Sequence, residues 1–163
     1  MGEWSVMGLL AFFYCGVSVM EIIIDSREIL HENINITGNI FFRIDNIYFP
    51  EENWNDFILI IVGNWINEYM SFLNSCRRNF TLYFMDGGFE IDGILEDSEN
   101  IKLEYVRRYI SEREIICTES VDKNDFEKQI IKACRKAMRI ASTLNMTEQF
   151  NNFGKMLDKL KNL

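Results

Sequence analysis

One proline, one histidine and four alanines are all that this 163-residue chain holds of those residue types. Each scarcity excludes something. With a single proline and nine glycines, there is no composition for a long flexible linker or a disordered tail. With His31 as the only imidazole, a serine or cysteine nucleophile has almost no choice of general base. His31 sits in the polar stretch REILHENIN, with no motif around it. The four cysteines, Cys15, Cys76, Cys117 and Cys134, are widely spaced and contain no C-x-x-C, so they form no clustered zinc set. Buried free thiols in a reducing, cytoplasmic compartment are expected instead. No G-x-x-x-x-G-K-[ST] and no G-x-G-x-x-G occurs, so no phosphate cradle is expected. Gly87-Gly88 follows Asp86 between two strand-like runs, which points to a hairpin turn.

The chain also lacks a run long enough to cross a membrane. The longest apolar stretch, Val6 to Val19, is short of the ~20 residues that a span needs. It has no basic residue before it and no A-x-A cleavage site after it, so it does not read as a secretory leader. Gly16-Val17 can be encoded by a purine-rich ribosome-binding sequence, and Met20 opens directly onto a strand-like run. The expectation is that residues 1–19 are not part of the native protein, with a membrane-proximal helix and a genuine first element as alternatives. Residues 20–163 are then one domain, a length that can bury a core without disulfides or metal.

Hydrophobic residues make up 48% of the chain and aromatics 13%, enough for such a core. The net charge is −8, unevenly spread. Residues 20–122 hold twenty Asp and Glu against eight Lys and Arg, whereas residues 123–163 hold nine basic residues against four acids. An acidic body disfavours nucleic acid as a partner and favours a basic protein.

The periodicity predicts an α+β fold. Glu21–Ser26 and Asn39–Tyr48 are strand-like. The run from Phe57 through Trp65 to Leu73 keeps helical spacing and is apolar all round at first, so it predicts a central buried helix. Glu51, Glu52 and Asp56 suit its N-terminal dipole. Asn79–Met85, Phe89–Leu95, Ile101–Arg108 and Ile115–Thr118 predict an antiparallel meander. Phe126, Ile130, Cys134, Ala137 and Ala141 predict an amphipathic helix that Asp122 caps, and Phe150–Leu160 a short last helix. The expected architecture is one antiparallel twisted sheet with two long helices packed on one face.

Chemistry-bearing clusters are few. Glu90 and Asp92 project from one face of a strand, with Asp86, Glu96 and Asp97 on the turns at its ends. Their order matches no calcium loop, and no E-x-K follows as a metal nuclease requires. Trp54 lies in a polar loop, as a binding anchor or as a staple between helix entry and sheet.

Three stretches carry a resemblance: Phe49-Pro50-Glu51-Glu52-Asn53-Trp54-Asn55-Asp56-Phe57, the apolar run to Trp65, and Phe84-Met85-Asp86-Gly87-Gly88-Phe89. Together they resemble small bacterial immunity-type proteins of polymorphic and contact-dependent toxin systems, over about a quarter of the chain. The resemblance implies a cytoplasmic, non-enzymatic protein that binds a cognate toxin and blocks it, without cofactor or metal. The expected contact surface is acidic: Asp86, Glu90, Asp92, Glu96 and Asp97, with Glu51, Glu52 and Trp54 as a second patch. The alternatives are a small metal-dependent hydrolase using Glu90 and Asp92, and a structural or oligomeric interaction protein.

Overall fold

The computed structural model describes residues 20–32 and 35–162. The apolar segment 1–19 lies outside them, as does the side chain of His31. The α+β class is as expected, but the strands form two antiparallel sheets of four strands each, and three helices accompany them. In the first sheet β1 (Met20–Glu32) pairs with β2 (Asn35–Ile44). The far edge of β2 is occupied in tandem by two short strands. β3 (Ile47–Phe49) pairs with Phe42–Ile44, and β4 (Asn55–Phe57) pairs with Thr37–Asn39. That edge is closed by local chain, so no later strand joins it. The strand expected over Asn39–Tyr48 is in fact a hairpin: Asp45 takes a positive φ of 50° and reverses the chain between β2 and β3.

The second sheet is the expected meander, β5 (Asn79–Tyr83), β6 (Phe89–Leu95), β7 (Asn100–Arg108) and β8 (Arg113–Asp122), in sequence order. Its turns follow from its residues. Gly87 and Gly88 both have positive φ, and a Cβ on Gly88 would sit 2.6 Å from the Arg108 carbonyl oxygen. Gly93 makes room for the Phe80 ring lying over it, which a Cβ would meet at 2.1 Å.

Helix α1 (Ile58–Leu73) buries Ile58, Ile61, Val62, Trp65, Ile66, Tyr69 and Phe72. Helix α2 (Lys123–Thr143) starts as expected, with the Asp122 carboxylate accepting from the backbone N–H groups of Asn124 and Asp125. It buries Phe126, Ile130, Ala133, Cys134, Ala137, Ile140 and Ala141. Helix α3 (Thr147–Lys161) is longer than expected and packs on α1 and α2. Its Phe153 approaches Gly63, so α3 covers part of the apolar excess at the start of α1. Ile60 remains 46% exposed, so α1 is not buried all round. Both sheets and all three helices contribute to one continuous core. Phe42 and Phe49 of the first sheet meet Tyr105 of the second at ring distances of 5.9 and 5.2 Å, and Tyr69, Phe80 and Phe126 join α1, β5 and α2. Among the described residues, no helix is long and apolar enough to cross a membrane.

Candidate partner-binding site

The site is built around one buried carboxylate. Asp56 is 1% exposed and lies on β4, directly before α1. It stands at the start of α1, where an acid suits the helix dipole, and its side chain is buried. One oxygen accepts from the N–H of Phe57 at 2.8 Å. The other accepts from the Trp54 indole at 3.2 Å and from the backbone N–H groups of Met85 and Asp86 at 3.0 and 3.4 Å. A carboxylate can accept several such bonds at once, and charge makes each one stronger. Asp56 thus ties the 50–57 loop to the turn between β5 and β6.

Trp54 completes the junction. It is half-buried, and its ring meets Phe89 at 5.2 Å, nearly edge to face. The guanidinium of Arg107 lies over Phe89 at 5.3 Å and over Tyr109 at 5.0 Å. The register pairs Phe89 with Arg107 and Arg108 with Arg113, so the turns 84–88 and 109–112 lie at the same end of the second sheet. This tip exposes Met85, Tyr109 and Ile110, with Tyr83 just below. Glu51, Glu52 and Asp86 are also exposed there, and their carboxylates make no ion pair or hydrogen bond among the described residues.

The eight residues singled out from the sequence therefore fall into three places. Glu51, Glu52, Trp54 and Asp86 gather at the tip. Glu96 and Asp97 lie at the other end of β6, roughly 20 Å away for a strand of that length. Glu96 accepts from the Ser120 hydroxyl at 2.6 Å. Asp97 caps its own turn: hydrogen bonds from the Asn100 side chain, then from the Glu99 and Asn100 backbone, hold its carboxyl below the usual range. Both have local structural work.

Glu90 and Asp92 occupy the outer face of the second sheet, where the strand period puts them, but they do not form a bare acidic surface. Glu90 is 1% exposed and paired with Arg108 Nε at 2.6 Å. Asp92 accepts from the Thr81 hydroxyl at 2.7 Å and pairs with Arg113, also at 2.7 Å. Arg113 reaches Glu104 at 2.8 Å, and Glu104 also holds Lys102 at 2.9 Å. These hydrogen bonds, the one from Lys102 first, lower the Glu104 pKa. Three acids are thus answered by three cations. The expectation that Glu90 faces solvent is corrected: the Arg108 side chain, diagonally across from it on β7, covers it. No group of three or more His, Cys, Asp or Glu side chains is arranged to hold a metal ion among the described residues.

The sequence reading did not single out Arg108 and Arg113, nor Asp56 as a buried hub. Counting outward from the β7–β8 turn places Arg108 diagonally across from Glu90, whereas Arg113, on β8, reaches Asp92 and Glu104 only through the length of its side chain. Nothing local distinguishes Asp56 from Glu51 or Glu52. Compared with known proteins, the chain matches no family model, no curated protein and no solved structure.

Proposed function

We propose that the chain is a non-enzymatic, immunity-type protein that binds a cognate toxin domain through the tip and blocks it. The observation that supports this is the combination found there. Three unanswered carboxylates, Glu51, Glu52 and Asp86, lie on the loop and the turn that meet at the packed group of Trp54, Phe89, Arg107 and Tyr109, with Met85 and Ile110 exposed on the turns of the same end. Aromatic and arginine anchors on a fixed support provide contact area at low entropic cost. Free acids at the rim steer a basic partner and speed its association. The acids of the outer face are already spent on arginines and contribute little net field. The contact surface is therefore narrower than the sequence suggested, with Glu90, Asp92, Glu96 and Asp97 in supporting roles.

Co-expression of the full chain, affinity-tagged, with the product of the neighbouring upstream gene tests this. A complex that survives purification and restores growth to cells expressing that product alone is the expected result. A toxic product that the chain neither binds nor neutralises would overturn it.

A further inference from the structure

A second surface differs in sign and sits on the first sheet, sharing no residue with the tip. Over Met20–Asp25, β1 pairs with β2 and with no other strand among the described residues, and α2 packs against it. Two bridges cross from α2 at one end. The Ile22 N–H reaches the Gln129 side-chain oxygen at 3.4 Å, a long bond, and Lys132 meets Glu21 at 3.3 Å. The Ile22 N–H therefore points out of the sheet, and by the antiparallel repeat so does that of Ile24. Beyond those bridges lies a cleft of about 360 Å³, lined by Ile22–Ile24, Lys132, Arg135, Lys136 and Arg139. Arg135, Lys136 and Arg139 have no carboxylate partner among the described residues, in a chain whose net charge is −8.

We propose that this cleft takes an acidic, extended peptide segment of a partner protein, which adds to the first sheet alongside β1. Edge strands present alternating donors and acceptors that match a peptide backbone. The cations of α2 line the same cleft as that edge, and they select acids. A second copy of this chain fits poorly, because pairing β1 with β1 would bring two sets of unanswered cations together. A free anion or nucleic acid would satisfy the cations but leave the strand edge unused.

The test is fluorescence anisotropy with a labelled short peptide in which glutamate alternates with valine, titrated with the full chain. Saturable binding is expected. It should weaken ~tenfold or more, the equivalent of ~1.4 kcal/mol, in the double variant Lys136→Glu, Arg139→Glu. Arg139 is exposed and Lys136 half-buried, and neither has an ion-pair partner among the described residues, so circular dichroism should show the fold retained. The same peptide N-methylated at alternate backbone nitrogens should bind at least ~tenfold more weakly. Equal binding of the methylated peptide would show attraction by charge alone and overturn strand addition. So would a lack of saturation, or self-association of the chain through β1 in sedimentation velocity.

Discussion

The acids of the tip and the acids on the outer face of the second sheet look alike in the sequence, yet they have opposite standing in the fold. On the outer face, Glu90, Asp92 and Glu104 each meet a cation: Arg108, Arg113 and Lys102 are spread among them. At the tip, Glu51, Glu52 and Asp86 meet none among the described residues, while Asp56, a few residues away, is wholly enclosed by N–H donors. Net charge counts all of these equally. What separates them is register: whether the neighbouring strand offers a cation, a backbone donor or water. An acid already answered holds the fold together, and only an unanswered one can attract a partner.

The sharpest way to break this contrast is to remove the enclosed member. Asp56→Ala leaves the Trp54 indole and the N–H groups of Phe57, Met85 and Asp86 without their acceptor. The expected loss is about 3–5 kcal/mol of unfolding free energy, read from urea denaturation. A loss no larger than that of an ordinary surface substitution would mean that Asp56 does not join loop and turn.

A smaller effect is expected in alkali, where the answering groups are hydroxyls and thiols. Tyr105 is buried and donates to Glu119; burial first, then the charge of Glu119, raises its pKa well above the ordinary value. Burial also raises that of Tyr69, whose hydroxyl has no partner among the described residues. Burial pushes the thiols of Cys117 and Cys134 up to about 11 from an ordinary 9. In each case the unfolded chain gives up its proton at a lower pH than the folded one. The stability these groups provide is intact below pH 9 and is lost as pH rises toward 11 and beyond. Denaturation midpoints should fall steadily across that window, less steeply in Tyr105→Phe. A flat profile from pH 8 to ~11 would contradict the burial of these groups.

How far the sequence carried depended on whether the determining contact was local. The positions of α1 and α2 were legible because Trp65, Tyr69, Phe126, Ile130 and Cys134 fall on helical periods. So were the faces of β6 and β7, where Ile91 and Tyr105 alternate with Asp92 and Glu104. The Asp45-Asn46 turn was hidden inside the unbroken β-rich run FFRIDNIYF, and only its backbone reveals the reversal. That β3 and β4 both pair with the same edge of β2, and that the meander forms a sheet of its own, no local pattern encodes. The same holds for the site. Strand period placed Glu90 on the polar face correctly, but its burial depends on Arg108, eighteen residues later in the sequence. Trp54 was legible as an anchor or a staple, and its bond to Asp56 and its contact with Phe89 make it a staple at the edge of an exposed platform.

The smallest expected change in stability belongs to the unanswered acids, and it sharpens the contrast most. Glu51→Lys, Glu52→Lys and Asp86→Lys together break no hydrogen bond or ion pair among the described residues. Exposed positions of this kind usually shift stability by no more than about 0.5 kcal/mol. Asp92→Lys is the control: it discards the bonds to Thr81 and Arg113 and sets two cations side by side, for a loss of at least ~1 kcal/mol. Against a basic toxin domain the ranking should reverse. The triple variant should associate about tenfold more slowly at low ionic strength, with the deficit shrinking as salt screens the field. Asp92→Lys, corrected for its lower stability, should associate nearly as fast as the parent chain. If stopped-flow rates instead fall more for Asp92→Lys than for the tip variant, the outer face is the contact surface, and its ion pairs must open when the partner arrives.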